Sequence, residues 1–549
     1  MLLGAHKELN FRMKPYSSID KKPSNKTLPV IFLFAVSFII LYFSTASSPR
    51  YAINPWVDSN AFFTVGKAMA NNMVPYKDIF EQKGPLLYLI HAIAYLISKT
   101  SFTGVYILES LSFGVTAAFI FKISKKYISD FASVIVSVLS VTVMVLSVCF
   151  YYGDSAEEFC MPFLSVGLYY YLEYFKNSQN NLKLSVFLLC GFSAGCVALI
   201  KFTVLGFWFG WMAAIALHTL IIKREVKNAF RFSFIFLFGM ILAFAPWIAY
   251  FVYKNALKDF IDVYFVINAT SYADYSTSQN GLKIWVAEFL SRYYLNFRKS
   301  TVFAVCSLLG TVSTVFVGKI TDKKFCSRFS VFFIFLTTMF FTYVGGTSFQ
   351  YYFFVFGIFV CLLFIVFFIL SEQIINKLNF KTDFKAVKSI AAILVSVLSV
   401  ILSMNYSVSA KAAVRINEKE NTYQYVFSQY IKENSSTQNP KVFSYNCLDS
   451  GIYVFNDFIP EFRFFELQNI PYENFPDNLD AHIRYINDHI AEYVVTLSEI
   501  PSDDKSNLLQ DYRLVKEMQF PVFSSENMKI KYSTAYLYEL NQGDSKWKL

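Results

Sequence analysis

The stretch VDSNAFFTVGKAMANNMVPYKDIFEQKGPLL, Val57–Leu87, decides how this chain is read. It is polar and charged, yet it follows closely on the apolar run Leu28–Ser47, which is near the roughly 20 residues a helix needs to cross hydrocarbon. The whole chain is 549 residues long, 55% hydrophobic, 19% aromatic and 16% charged, with mean hydropathy +0.41, too apolar for a soluble chain of this length. The class is a polytopic α-helical membrane protein, and Val57–Leu87 is a water-facing loop beside its first span.

Working outward, residues 1–27 carry Lys7, Arg12, Lys14, Lys21, Lys22 and Lys26 against Glu8 and Asp20. The positive-inside rule places this tail in the cytoplasm and the loop outside. The first run lacks a small-residue cleavage site and is read as a retained span. The apolar run Pro85–Ser98 is short for a span, and reading it as interfacial or re-entrant keeps the later basic loops inside. The remaining spans are then expected at 103–121, 131–150, 159–175, 184–200, 203–222, 232–253, 300–318, 329–344, 351–370 and 389–407, about eleven in all with the first. The formal charge of +10 is carried largely by short loops between these runs, which excludes nucleic acid as the reason for it. No CxxC or Cys/His spacing indicates zinc or a disulfide framework.

Three regions follow: a cytoplasmic tail, 1–27; a transmembrane region, 28–407, with its first outer loop at 48–102; and an extracytoplasmic α/β domain, 408–549. In the last, β-like runs stand at Lys441–Tyr445, Tyr493–Leu497 and Ala535–Leu540, with helical patterning at Asn478–Ile490.

This topology gathers acids from two outer loops on one side of the membrane: Asp58, Asp78 and Glu81, then Asp154, Glu157 and Glu158. Lys83, Lys201 and Arg292 accompany them. Carboxylates deprotonate hydroxyls or hold divalent cations, while ammonium and guanidinium groups neutralise a phosphate leaving group. Each also has a plainer reading. Asp58 before Ser59-Asn60-Ala61 suits a helix N-cap, Lys83 an interfacial anchor, Arg292 another anchor, and the 154–158 acids a solvated turn. Tyr76 and Asp78 suit loop shaping as well as binding.

An Asp soon after the first span, then Tyr76-Lys77-Asp78 and Lys83-Gly84-Pro85-Leu86-Leu87-Tyr88, resembles the first outer loop of the GT-C superfamily of polyprenyl-phosphate-sugar-dependent membrane glycosyltransferases. The branch it looks most like includes protein O-mannosyltransferases and lipid A aminoarabinose transferases. The likeness extends to Asp154–Phe159 with Pro162, to Gly195–Gly206 around Lys201, and loosely to Gly345–Phe353. Two positions depart from the pattern: Gly84 replaces the first Pro of a Lys-Pro-Pro, and Tyr351 stands where relatives often have His.

The resemblance implies an inverting hexosyl- or pentosyltransferase. It would take a sugar from a polyprenyl-phosphate carrier to an envelope glycan, glycolipid or protein at the outer face of a bacterial cytoplasmic membrane. It further implies catalytic roles for Asp58, Asp154 and Glu157, with Asp58 as base or its organiser. Substrate binding falls to Tyr76, Asp78, Lys83, Lys201, Glu158 and Arg292. A divalent cation, Mg or Mn, is left open, with Asp58, Asp154 and Glu157 as its ligands. The alternatives are a transporter or flippase for a lipid-linked substrate and a non-catalytic envelope scaffold.

Overall fold

The computed structural model describes residues 27–176, 182–272, 282–317, 320–321, 325–377, 385–412, 418–498, 508–524 and 529–541. The basic N-terminal tail up to residue 26 and parts of several basic loops lie outside them. The chain opens with α1 (Thr27–Ser44), α2 (Val57–Ala70), α3 (Pro85–Ile97), α4 (Thr103–Ser124), α5 (Asp130–Val145), α6 (Ala156–Lys176), α7 (Leu184–Ala198), α8 (Leu205–Leu217) and α9 (Val226–Tyr253). A second helical set follows at Leu282–Lys299, Thr301–Phe316, Phe325–Tyr343, Val360–Lys377 and Lys385–Tyr406.

Among the described residues six helices are long and apolar enough to cross a membrane. They are Thr27–Ser44, Thr103–Ser124, Phe202–Ile222, Val226–Tyr253, Gln350–Ile375 and Ser389–Tyr406. The pair Lys283–Lys299 and Thr301–Phe316, bent by 115°, adds a seventh if it is one span. Several other expected spans are shorter helices: α5 has 16 residues and α7 has 15, because the apolar sequence runs on through turns at 146–155 and 199–204 where the helices stop. α6 reaches 21 residues but carries Glu157, Glu158, Glu173 and Lys176. The Pro85–Ser98 run forms α3, whose 13 residues rise only about 20 Å against a hydrocarbon core of about 30 Å.

Helix packing follows membrane rules. α7 meets α9 almost backbone to backbone, since a Cβ on Gly191 would lie 1.9 Å from the Phe236 carbonyl oxygen and one on Gly239 2.3 Å from that of Leu188. Without a strong hydrophobic force between apolar helices in lipid, such close approach is the main source of attraction. An extensive aromatic and aliphatic core, including Trp208, Trp211, Phe236 and Phe359, fills the interior of the bundle.

After residue 417 the chain forms a four-stranded sheet in the order β1-β2-β4-β3. β1 (Val442–Ser444) runs parallel to β2 (Tyr493–Thr496) through the crossover helix Pro476–Asn487. β3 (Tyr512–Ser524) and β4 (Lys529–Leu540) pair antiparallel, with an irregularity between Leu514 and Lys516. β3 is the element the sequence pattern concealed. It is an edge strand with Lys516 and Glu517 in mid-strand and with Pro521, which an edge tolerates and a central strand does not.

This α/β unit is seated on the first loop. Thr64 on α2 donates to Asp449 Oδ2 at 2.5 Å, and Lys67 Nζ donates to the carbonyls of Tyr453 and Asn456 at 2.9 and 2.6 Å. Between them in the contact, the Phe80 N–H donates to Arg463 O at 2.8 Å and Arg463 Nη2 to Tyr76 O at 3.1 Å. The polar face of α2 that the sequence presented to water is covered by protein.

Candidate active site

Asp58 lies in the first turn of α2, whose N-terminal flank is Trp56, so its carboxylate is not used as the cap. Instead Oδ2 accepts a hydrogen bond from the Tyr351 hydroxyl at 3.0 Å, and the residue remains partly exposed. Tyr351, noted in the sequence only as a departure from a family pattern, is the direct partner of the leading candidate. Burial raises the Asp58 carboxyl above its ordinary range, and Lys83, the Tyr351 hydroxyl and Lys201 pull it part of the way back.

Lys83 is held by the loop around it. Its N–H donates to Glu81 Oε2 at 2.9 Å and Tyr88 Oη at 2.8 Å, its carbonyl accepts from Tyr76, and Nζ pairs with Glu81 Oε1 at 3.4 Å. Tyr88 also donates to Glu81. Burial works against the ammonium, but Glu81 and Asp58 overcome it and hold Lys83 protonated above the usual lysine range. Gly84 is required next to it: the Gly84 N–H donates to Ile200 O at 3.0 Å, and a Cβ there would sit 1.9 Å from Leu199 O. Proline at this position would lose the hydrogen bond and meet that carbonyl, which explains the departure from Lys-Pro-Pro.

The same seam brings in Lys201, at the break between α7 and α8. Its ammonium is ion-paired with Glu157 and lies 3.5 Å from the centre of the Tyr352 ring. Tyr352 Oη is 3.3 Å from Tyr272 Oη. Such a buried pair is costly to break from one side, about 3–5 kcal/mol.

Asp58 and Lys83 line a small cleft together with Glu81 and Gln82 from the first loop, with Tyr272 and Tyr351, and with Leu448, Glu466, Gln468 and Asn469 from the α/β unit. Glu466 is 1% exposed and fixed by two bonds: Oε2 accepts from Asp449 N at 2.6 Å and Oε1 from Gln468 Nε2 at 2.5 Å. Burial, then the neighbouring Asp449, raises its carboxyl well above the ordinary range. Asp449 itself is pushed up by burial to about 6.

Other sequence candidates are placed elsewhere. Asp154 is fully buried: Oδ1 lies 2.9 Å from His91 Nε2, and its N–H donates to Glu109 Oε1 at 2.7 Å. Because His91 Nδ1 faces the Leu87 carbonyl at 2.8 Å, it carries a proton there, so the Asp154–His91 contact shares one further proton. Glu158 and Ser155 form a capping box at the start of α6, each side chain accepting from the other's N–H at 3.2 Å. The 154–158 acids are therefore not the solvated turn of the plain reading. Ser155-Ala-Glu-Glu158 was the readable signal for the box, and Glu109, an acid inside the run of α4, was the readable signal for the buried network.

Asp78 Oδ2 accepts from Val74 N at 2.8 Å, which closes the Pro75–Ile79 turn, and Tyr76 is buried in an aromatic nest with a φ of 72°. Both shape the loop that carries Lys83. Arg292 pairs with Glu288 at 3.3 Å, one turn away on its own helix, and is not among the cleft residues. Among the described residues no three His, Cys, Asp or Glu side chains are grouped to hold a metal ion, and Asp58, Asp154 and Glu157 do not form one ligand set.

The family described as "Putative competence-induced protein Ccs4 N-terminal domain" matches residues 21–282. No curated protein sequence matches the chain. Among solved structures it is similar to ArnT from Cupriavidus metallidurans in the apo state, at 10% identity over 93% of this chain and 98% of that one, with a TM-score of 0.55. ArnT bound to undecaprenyl phosphate gives 10% identity, the same coverages and 0.50. The archaeal oligosaccharyltransferase AglB from Archaeoglobus fulgidus gives 12% identity over 92% and 74%, with 0.44. The chain is a multi-pass membrane protein with the fold of the GT-C glycosyltransferases.

Proposed function

We propose that the chain is an inverting glycosyltransferase that moves one sugar from a polyprenyl-phosphate carrier to an acceptor hydroxyl at the outer face of the membrane. The observation that carries this reading is that Asp58 and Lys83, a base and a cation, line one cleft. The GT-C fold and the undecaprenyl phosphate bound to ArnT in one similar structure support it.

Asp58 takes the proton of the acceptor hydroxyl as that oxygen bonds to the anomeric carbon. The bond from that carbon to the phosphate oxygen breaks, and its electron pair leaves with the polyprenyl phosphate beside Lys83. Attack and departure on opposite faces invert the configuration. The Tyr351 hydroxyl favours the ionised carboxylate, while Glu81 and Tyr88 fix the stem of Lys83. The Lys201–Glu157 pair supports the Tyr352 ring, whose hydroxyl meets Tyr272 at the cleft, and Asp154 holds the underlying frame.

The topology belongs to this reading too: N-terminus cytoplasmic, α3 interfacial, and residues 408–549 an extracytoplasmic unit facing the first loop. The sugar, hexose or pentose, and the acceptor, envelope glycan, glycolipid or protein, are the quantities to be found by assay. In membranes given radiolabelled polyprenyl-phosphate sugar, wild type transfers label to an envelope fraction. Asp58→Asn, expressed at the same level, is expected to stop it, and retained transfer removes the assignment of the base.

A further inference from the structure

The wall of the cleft opposite Asp58 comes from the α/β unit, and its chemistry differs from that of the phosphate end. Glu466, Gln468 and Asn469 bring a carboxyl and two amides, and Gln82 brings a third amide from the loop side. Gln82 is 4% exposed and lines the cleft, yet its Nε2 meets no partner among the described residues; its backbone carbonyl is already used by Asn268 at 2.8 Å. A buried amide N–H left without a partner is destabilising, so a residue in this state is poised for an acceptor from outside the chain.

Glu466 is preorganised for the same purpose. Each of its oxygens already accepts one hydrogen bond, from Asp449 N and from Gln468 Nε2, which leaves one further position on each, a lone pair or, in the protonated carboxyl that burial favours, an O–H. The Gln468 N–H is in turn fixed by Asn478 Oδ1 at 2.8 Å, so the strand of chain that carries both residues is anchored from behind. Donor amides beside acceptor carboxyl oxygens, with the tyrosines Tyr272 and Tyr351 on the same cleft, match the alternating donor and acceptor character of ring hydroxyls. A second phosphate would find no cation on this wall.

Resting on the glycosyltransferase reading, we propose that Gln82, Glu466 and Gln468 form a hydroxyl-binding subsite for a neutral sugar ring at the seam between the first loop and the α/β unit. The ring belongs either to the carried sugar or to the acceptor. In both cases the α/β unit is part of the sugar-binding cleft.

The test uses full-length protein in nanodiscs. Binding is measured for undecaprenyl phosphate, for undecaprenyl phosphate bearing each of a panel of neutral hexoses and pentoses, and for the methyl glycosides of the same sugars. Wild type is expected to gain affinity from at least one sugar, free or carried. Gln82→Leu is expected to lose that gain by about tenfold while leaving undecaprenyl phosphate affinity unchanged. Its thermal midpoint is expected to stay the same or rise, because an unmet amide is replaced by an apolar group; a merely structural Gln82 would lower it.

Gln468→Leu provides the second variant, with undecaprenyl phosphate binding as its control for folding. Loss confined to the carried sugars assigns the subsite to the donor, and loss confined to the methyl glycosides assigns it to the acceptor. No gain from any sugar in wild type, or a gain unchanged in both variants, overturns the subsite. Failure of wild type to bind undecaprenyl phosphate at all overturns the functional reading instead.

Discussion

Two groups of acids stand close to one another and behave as opposites. Asp58, Glu81 and Glu466 line a cleft beside the Lys83 ammonium, and Asp58 is partly open to it. Glu109, Asp154 and Glu158 are fully buried: Glu109 accepts from Thr45 and the Asp154 N–H, Asp154 Oδ1 meets His91 and Glu158 Oε2 accepts from Ser155 N, while Asp154 Oδ2 and Glu158 Oε1 have no partner among the described residues. In sequence Asp58 and Glu81 of the first set and Asp154 and Glu158 of the second all look like charged loops beside spans. What separates them is access: Asp58 is partly exposed and lines the cleft, whereas Asp154 is enclosed by protein and does not line it. The first arrangement suits chemistry and the second suits holding α3, α4 and α6 in register.

Substitutions can break this contrast. Asp58→Asn is expected to cost about 10²–10⁴-fold in transfer with little change in thermal stability, read by initial rate and by a melting curve on the same preparation. Asp154→Ala is expected to do the reverse. It leaves His91 Nε2 without its carboxylate partner, while the backbone N–H to Glu109 remains, and lowers stability by about 3 kcal/mol, seen as a loss of monodisperse protein after extraction. If Asp154→Ala were stable and inactive, the contrast would collapse and both acids would belong to the chemistry.

Tyr351→Phe sharpens it. Only ionised Asp58 takes a proton, so transfer falls as pH falls, with the acid limb above the usual Asp range because burial raises the carboxyl. Removing the Tyr351 hydroxyl withdraws a donor that favours the ionised form, so the limb should move to higher pH and the rate at neutral pH drop about 5-fold. An unmoved limb assigns it to another group. Smallest of all, Arg292→Gln is expected to change transfer by less than about twofold, since its pair with Glu288 is an i,i+4 contact on one helix.

Much of the loop side of the site was legible. Asp58 and Lys83 stood out because charge next to a membrane-length run needs a reason, and both line the cleft. Gly84 and Tyr351 were visible only as exceptions, since their purposes, a backbone bond to Ile200 and a hydroxyl on Asp58, depend on segments far along the chain. Helix lengths were less legible, because hydropathy continues through turns that end a helix. The α/β wall was not legible at all. Nothing local in Glu466-Leu467-Gln468-Asn469 distinguishes it from surface chain, and only contacts such as Thr64 to Asp449, 385 residues apart, bring it to the cleft.

That separation has a consequence for biosynthesis. At about 5–20 residues per second, Thr64 and Lys67 leave the ribosome roughly 20–80 s before the segment that covers them. During that interval the nascent chain carries Asp58 and Lys83 but no opposite wall. A translation product that stops short of Glu466 would enter the membrane with its polar helix uncovered and its cleft one-sided, so the cleft is completed only once the chain has been extended through Glu466.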